Sequence, residues 1–145
     1  MKIDHIGFVT NDFNNTIRIF KNFLGLRQIT KKIKEPAHNV EIIFFDLGNN
    51  SYPALEIIRP ISKSSKISNF LSKKGDGIHH LAYEVKNIYK KIEELKKKNF
   101  LVLSEIVPGA GHNNTPTVWL FSPNNQLIEL VQKQKNKSKY KRFTI

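Results

Sequence analysis

A chain of 145 residues, 39% hydrophobic and 25% charged, is long enough to bury one compact core and too apolar for a disordered polymer. It holds no cysteine, which excludes disulfides, thiolate metal sites and cysteine nucleophiles and leaves histidine, carboxylate and hydroxyl groups as its chemistry. Half of the +12 net charge sits in Lys133, Lys135, Lys137, Lys139, Lys141 and Arg142, so the body is only moderately basic and suits an anionic small molecule. No helix-turn-helix, RNP-like strand or zinc finger accompanies that charge, which disfavours nucleic acid as a partner. No apolar run is long enough to span a membrane and no charged leader precedes the first strand, so a cytoplasmic protein is expected.

Residues 2–9 are apolar on both faces and predict a buried strand. Asn11 or Asp12 caps the next helix, in which Phe13, Ile17, Phe20 and Leu24 recur at core-facing spacing until Gly25 ends it. A weak strand over 26–33, a charged turn over 31–36, a strand over 40–47, a turn over 48–53 and a strand over 54–59 complete a βαβββ module. Within the linker 61–76, Ile67, Phe70 and Leu71 have the spacing of a short helix. A second module follows: a strand over 79–85, a helix capped by Asn87 and running to about Lys98, and a strand over 101–106. The loop P-G-A-G-H-N-N-T-P at 108–116, a strand over 117–121, the turn 122–125 and a strand over 126–131 finish it. The tail 133–145 lacks an apolar period and is expected to be disordered.

The second module restarts the first. G-I-H-H-L-A-Y-E-V at 77–85 echoes M-K-I-D-H-I-G-F-V at 1–9, and setting His80 over His5 brings Tyr83 over Phe8, Ile88 over Phe13 and Ile92 over Ile17. Each half also ends on a carboxylate inside an apolar run, Glu56 in L-E-I-I and Glu129 in I-E-L-V. A single buried Glu or His reads equally well as an ion-paired or hydrogen-bonded core residue. Repetition changes that balance, because modules paired about a pseudo-twofold axis bring His5, Glu56, His80 and Glu129 to one point. Two imidazoles and two carboxylates suit one divalent ion such as cobalt, nickel, zinc, manganese or iron, with positions left for substrate oxygens.

These residues resemble the vicinal oxygen chelate superfamily, which also holds the glyoxalases and bleomycin resistance proteins. Within it, I-D-H-I-G at 3–7, F-D-L-G-N at 45–49, L-E-I-I-R-P-I at 55–61 and G-I-H-H-L-A at 77–82 are most similar to the methylmalonyl-CoA epimerase family. The resemblance implies an α+β fold in which two paired βαβββ modules, residues 1–60 and 77–132 of a single domain 1–132, form a curved mixed sheet around a metal-binding cleft. It also implies a homodimer and an acyl-CoA or other thioester substrate. His5, Glu56, His80 and Glu129 would be the metal ligands. Glu129 would double as the base that removes a proton beside the thioester carbonyl, and Glu41 would be the second proton carrier, provided that it faces the cleft. The loop 108–116 departs from the epimerase pattern, and its His112 is expected to be exposed. A glyoxalase I-like isomerase, which also uses two His and two Glu, and a non-catalytic drug-binding protein of the same fold are the alternatives.

Overall fold

The structure is a computed structural model that describes residues 1–48, 53–135 and 142–144. Apolar runs rich in β-branched and aromatic residues become ten strands and the two periodic segments of the modules become helices. The first module comprises β1 (Lys2–Val9), α1 (Phe13–Arg18), β2 (Arg27–Gln28), β3 (Ile33–Glu35), β4 (Val40–Asp46) and β5 (Ala54–Pro60). After α2 (Lys66–Lys74) come β6 (Gly77–Val85), α3 (Ile88–Lys96), β7 (Leu101–Val102), β8 (Val107–Gly109), β9 (Thr115–Phe121) and β10 (Leu127–Gln132). Asp12 caps α1 by accepting from the Asn15 amide at 3.1 Å, and Asn87 caps α3 by accepting from the Lys90 amide at 2.9 Å. No helix among the described residues is long and apolar enough to cross a membrane.

All ten strands join one mixed sheet in the order β2-β4-β5-β1-β6-β10-β9-β7, with β3 added to β4 and β8 to β9. The two halves meet at the antiparallel pair β1 and β6, and each of these strands has a parallel neighbour from its own module, β5 and β10 respectively. On one face, α1 covers Ile43, Phe45, Leu55 and Ile57, and α3 covers Val118, Leu120 and Leu130. On the other, Val40, Ile42, Phe44, Ala54 and Ile58 pack with Ile67 and Leu71 of α2.

Four local expectations change. A π-helical turn over Ile19–Phe23, closed by the Leu24 amide on the Ile19 carbonyl at 3.0 Å, shifts the phase of the α1 stripe and leaves Leu24 exposed rather than core-facing. The charged segment 31–36 contains strand β3, because its Ile33 and Glu35 pair with Ile42 and Val40 of β4. The loop 108–116 is likewise ordered by β8 and a 3₁₀ turn over Ala110–His112. At the end of the lysine-rich tail, Arg142 and Phe143 are buried, Phe143 stacking on Phe44 with ring centroids 4.1 Å apart, and Lys133 and Gln134 are hydrogen-bonded to Val85 and His112, so the described parts of the tail are packed. The remainder of the tail expectation, residues 136–141 and 145, and most of the expected turn at 48–53 lie outside the described residues.

Candidate active site

The central strands β5, β1, β6 and β10 each deliver one of the four expected donors. Strand register explains how: Gly7 of β1 sits between Glu56 and His80, while His5 sits between Ala54 and Ala82, with Glu129 beyond Ala82. Small residues thus alternate with functional ones, and the sheet has room for two imidazoles over its centre. The fit over Gly7 is close, since a β-carbon there would lie 2.1 Å from His80 Cε1.

The donors converge. His5 Nε2 is 3.1 Å from His80 Nε2, 3.1 Å from Glu129 Oε2 and 3.4 Å from Glu56 Oε2, and His80 Nε2 is 3.6 and 3.8 Å from the Glu56 and Glu129 oxygens. All four residues are buried. Metal–ligand bonds of about 2.0–2.2 Å place neighbouring donors roughly 3.0–3.5 Å apart, which is the spacing of the three contacts around His5 Nε2. Two buried carboxylates with no Lys or Arg pairing to them among the described residues also require a cation. His5, Glu56 and His80 form a compact group that fits one divalent ion without sulfur ligands, and Glu129 adjoins it at His5.

Two β-bulges orient the histidines. The β1–β6 register shifts between Ile3 and His5 and again between Gly7 and Phe8, and the residues at the two irregularities, Asp4 and His79, turn toward the neighbouring histidine ring. Asp4 Oδ1 accepts from His5 Nδ1 at 3.0 Å, and His79 Nδ1 meets His80 Nδ1 at 3.1 Å. Each contact occupies Nδ1 and leaves Nε2 facing the centre. Burial drives the His79 pKa down to about 4, so its ring is neutral and can accept from His80. Burial likewise pushes His80 well below the usual histidine value, with His5 adding to the effect. His5 behaves oppositely: burial opposes its charge, yet Glu56, Asp4 and Glu129 together raise its pKa well above the usual value.

Asp4 is also the centre of a network that the sequence does not announce. His112 Nε2 lies 3.1 Å from Asp4 Oδ1, and Arg142 donates from Nε to Asp4 Oδ2 at 2.8 Å and from Nη2 to the Asp4 carbonyl at 3.1 Å. Burial favours the neutral acid, but hydrogen bonds from His112 and His5 outweigh it and hold the carboxyl well below its ordinary range. His112, expected to be exposed, is buried and stacks on His5 at 5.1 Å. Asp4, His5 and His112 form a second compact donor group, but Arg142 already neutralises Asp4, so this group reads as support for His5.

Glu56, His80 and Glu129 line a cavity of about 730 Å³. Its walls include Phe70, His79 and Trp119, whose rings meet edge-on, and Trp119 donates from Nε1 to His38 Nε2 at 3.1 Å. Lys66, Lys73 and Lys74 of α2 line it as well. Glu41 does not. Its neighbours Val40 and Ile42 line the cavity, so period-two alternation turns Glu41 to the α1 face, where it pairs with Arg59 at 2.7 Å. Its expected place facing the cleft is corrected on that ground. The carboxylate that β3 sends into the cavity is Glu35, and it accepts from the Ala110 amide. Burial raises its pKa, the Ala110 and Gly111 amides resist, and Glu56 and Glu129 push it further up. Pairing of Ile33 with Ile42, both apolar, is the signal that would have placed Glu35 on the inner face.

Paired modules, one donor on each of four adjacent strands and a cavity above them define a class. The chain belongs to the glyoxalase/bleomycin resistance protein/dioxygenase superfamily, whose profile matches residues 4–117. Its relatives include proteins named as epimerases. It is 33% identical over 134 residues to the human mitochondrial methylmalonyl-CoA epimerase, covering 90% of this chain and 73% of that one. It is 31% identical to the ethylmalonyl-CoA/methylmalonyl-CoA epimerase of Cereibacter sphaeroides, covering 90% and 97%. A variant of Streptomyces coelicolor methylmalonyl-CoA epimerase, solved in complex with 2-nitronate-propionyl-CoA, shares the fold with a TM-score of 0.81 at 22% identity, covering 95% of this chain and 98% of that one.

Proposed function

We propose that the protein is a divalent-metal-dependent epimerase that moves the proton beside the thioester carbonyl of a malonyl-type acyl-CoA, with methylmalonyl-CoA as the leading substrate. The observation that carries this reading is the convergence of His5, Glu56, His80 and Glu129 at 3.1–3.8 Å beneath a cavity large enough for an acyl thioester. Those four residues would hold the ion, which when bound supplies Lewis-acid stabilisation of the negative charge that develops on the thioester oxygen. Glu129 is the base, because its carboxylate borders the cavity while its strand fixes it beside His5. Asp4 and His79 keep both ligand rings turned toward the centre. Phe70 and Trp119 exclude water from the reacting carbon, and Lys66, Lys73 and Lys74 suit the phosphates of CoA. Complexes of epimerase relatives with acyl-CoA ligands support the substrate class.

The test combines metal analysis with isotope exchange. Wild type reconstituted with cobalt, nickel, zinc or manganese should bind about one equivalent and wash deuterium from solvent into the α-position of methylmalonyl-CoA. Turnover of the glutathione hemithioacetal without that exchange would make it a glyoxalase. Tight binding of a bleomycin-like drug with neither reaction would make it a binding protein.

A further inference from the structure

We infer that Glu35 is the second acid–base group of this site, facing the substrate α-carbon from the side opposite Glu129. The inference rests on the epimerase reading. Inverting a carbon centre needs a proton removed on one face and returned on the other, so one carboxylate is insufficient. Among the described residues, three carboxylates line the cavity, Glu35, Glu56 and Glu129. Strand order places Glu35 on β3, at the first-module side of β5 and β1, and Glu129 on β10, at the second-module side of β6. The two therefore flank the donor centre from opposite modules. Glu35 stands outside the four-donor cluster.

Its environment matches that role. Glu35 is 6% exposed, is paired with no Lys or Arg among the described residues, and is held by the Ala110 amide of the 3₁₀ turn that crosses from the second module. Burial raises its pKa, which moves it in the direction that an acid–base carboxyl needs. The other candidates in the cavity are committed: His38 accepts the Trp119 N–H and His112 contacts Asp4. In one direction, the Glu129 carboxylate takes the α-proton and the C–H pair becomes the enolate. The Glu35 O–H then breaks as its proton forms the new C–H bond on the opposite face. In the other direction the roles exchange. Solvent resets both carboxyls, so no oxidant or co-reactant is consumed.

The experiment uses metal-loaded full-length protein, wild type against Glu35→Gln and Glu35→Asp, with each epimer of methylmalonyl-CoA in deuterated water. Metal content and binding of 2-nitronate-propionyl-CoA, a planar anion with the charge of the enolate, are measured alongside. Glu35→Gln should keep its metal and bind the nitronate within about 3-fold of wild type, while epimerisation falls on the order of 10²-fold or more. Exchange should survive, with retention, for the epimer whose proton Glu129 takes and vanish for the other, and Glu35→Asp should restore part of both. Exchange of both epimers by Glu35→Gln at near wild-type rates overturns the role of Glu35 alone. A wild type that exchanges neither epimer overturns the epimerase reading and this one together.

Discussion

Gly7→Ala tests the packing that creates the site without replacing any donor residue. The new β-carbon would lie 2.1, 2.3 and 2.6 Å from His80 Cε1, Nδ1 and Nε2, whereas ordinary contact begins at 3.4 Å, so the ring must retreat by about 1.3 Å. It has little room to do so, with Trp119 edge-on at 4.6 Å, His79 at 5.3 Å and only 3% of the residue exposed. Overpacking of this kind costs about 1–3 kcal/mol, or roughly 3–12 °C in Tm for a chain of this size. Metal–nitrogen bonds of about 2.0–2.1 Å do not tolerate that retreat, so affinity should fall by about 100-fold or more. Calorimetry of the apo protein reads the first effect, and a cobalt or zinc titration followed by the fluorescence of Trp119, the chain's one tryptophan, reads the second. The double variant Gly7→Ala/His80→Ala separates the causes: it should recover the apo Tm lost by Gly7→Ala, because the clash is gone, yet remain unable to bind metal. Gly7→Ala with unchanged metal affinity and a Tm within about 1 °C of wild type would refute the reasoning.

Glu56→Ala and His80→Ala should each retain less than about a tenth of an equivalent of metal by elemental analysis and lose the Tm rise that metal gives wild type; full retention would make these residues structural. Glu41→Gln should leave epimerisation within about 3-fold of wild type and stability within about 1 kcal/mol, because a partly exposed pair with Arg59 contributes little; a large loss of turnover would return Glu41 to the mechanism. Phe143→Ala removes a buried ring stacked on Phe44 and should cost about 3 kcal/mol or more in urea denaturation, against almost nothing if the tail were peripheral. Burial lowers the His38 pKa, so the native state binds fewer protons than the unfolded chain below the usual histidine value. Its contribution is complete above that value and is lost as pH falls through it toward the lower folded pKa. Wild type should therefore lose more stability than His38→Gln between pH 7 and pH 5, and parallel losses would sink the assignment.

Repetition made the donors legible. His5 and His80, Glu56 and Glu129 hold matching places in duplicated apolar strands, and parallel pairing of β1 with β5 and of β6 with β10 brings them together. The second carboxylate was misplaced because a single residue of strand parity separates the faces of β4, and Glu41 lies between two inward apolar residues. Glu35 was hidden in a segment whose charge reads as a turn until Ile33 is paired with Ile42. Contacts of Asp4 with His112 and Arg142 span most of the chain and follow no local period. The apolar Phe143 inside a largely basic terminus is a hint that this end is packed.

The two β-bulges show how a duplicated backbone acquires unequal halves. Each places the residue before the ligand histidine against Nδ1 of that histidine, but one is the anion Asp4 and the other the neutral imidazole His79. A carboxylate at Nδ1 increases the basicity of the opposite nitrogen more than a neutral ring does, so His5 is the stronger electron donor of the pair. Arg142 and His112 hold Asp4 in place from the C-terminal segment and the 3₁₀ turn, supports for which the described residues around His79 have no counterpart beyond the rings of Phe70 and Trp119. The backbone pairing is therefore near-symmetric while the electrostatics are not.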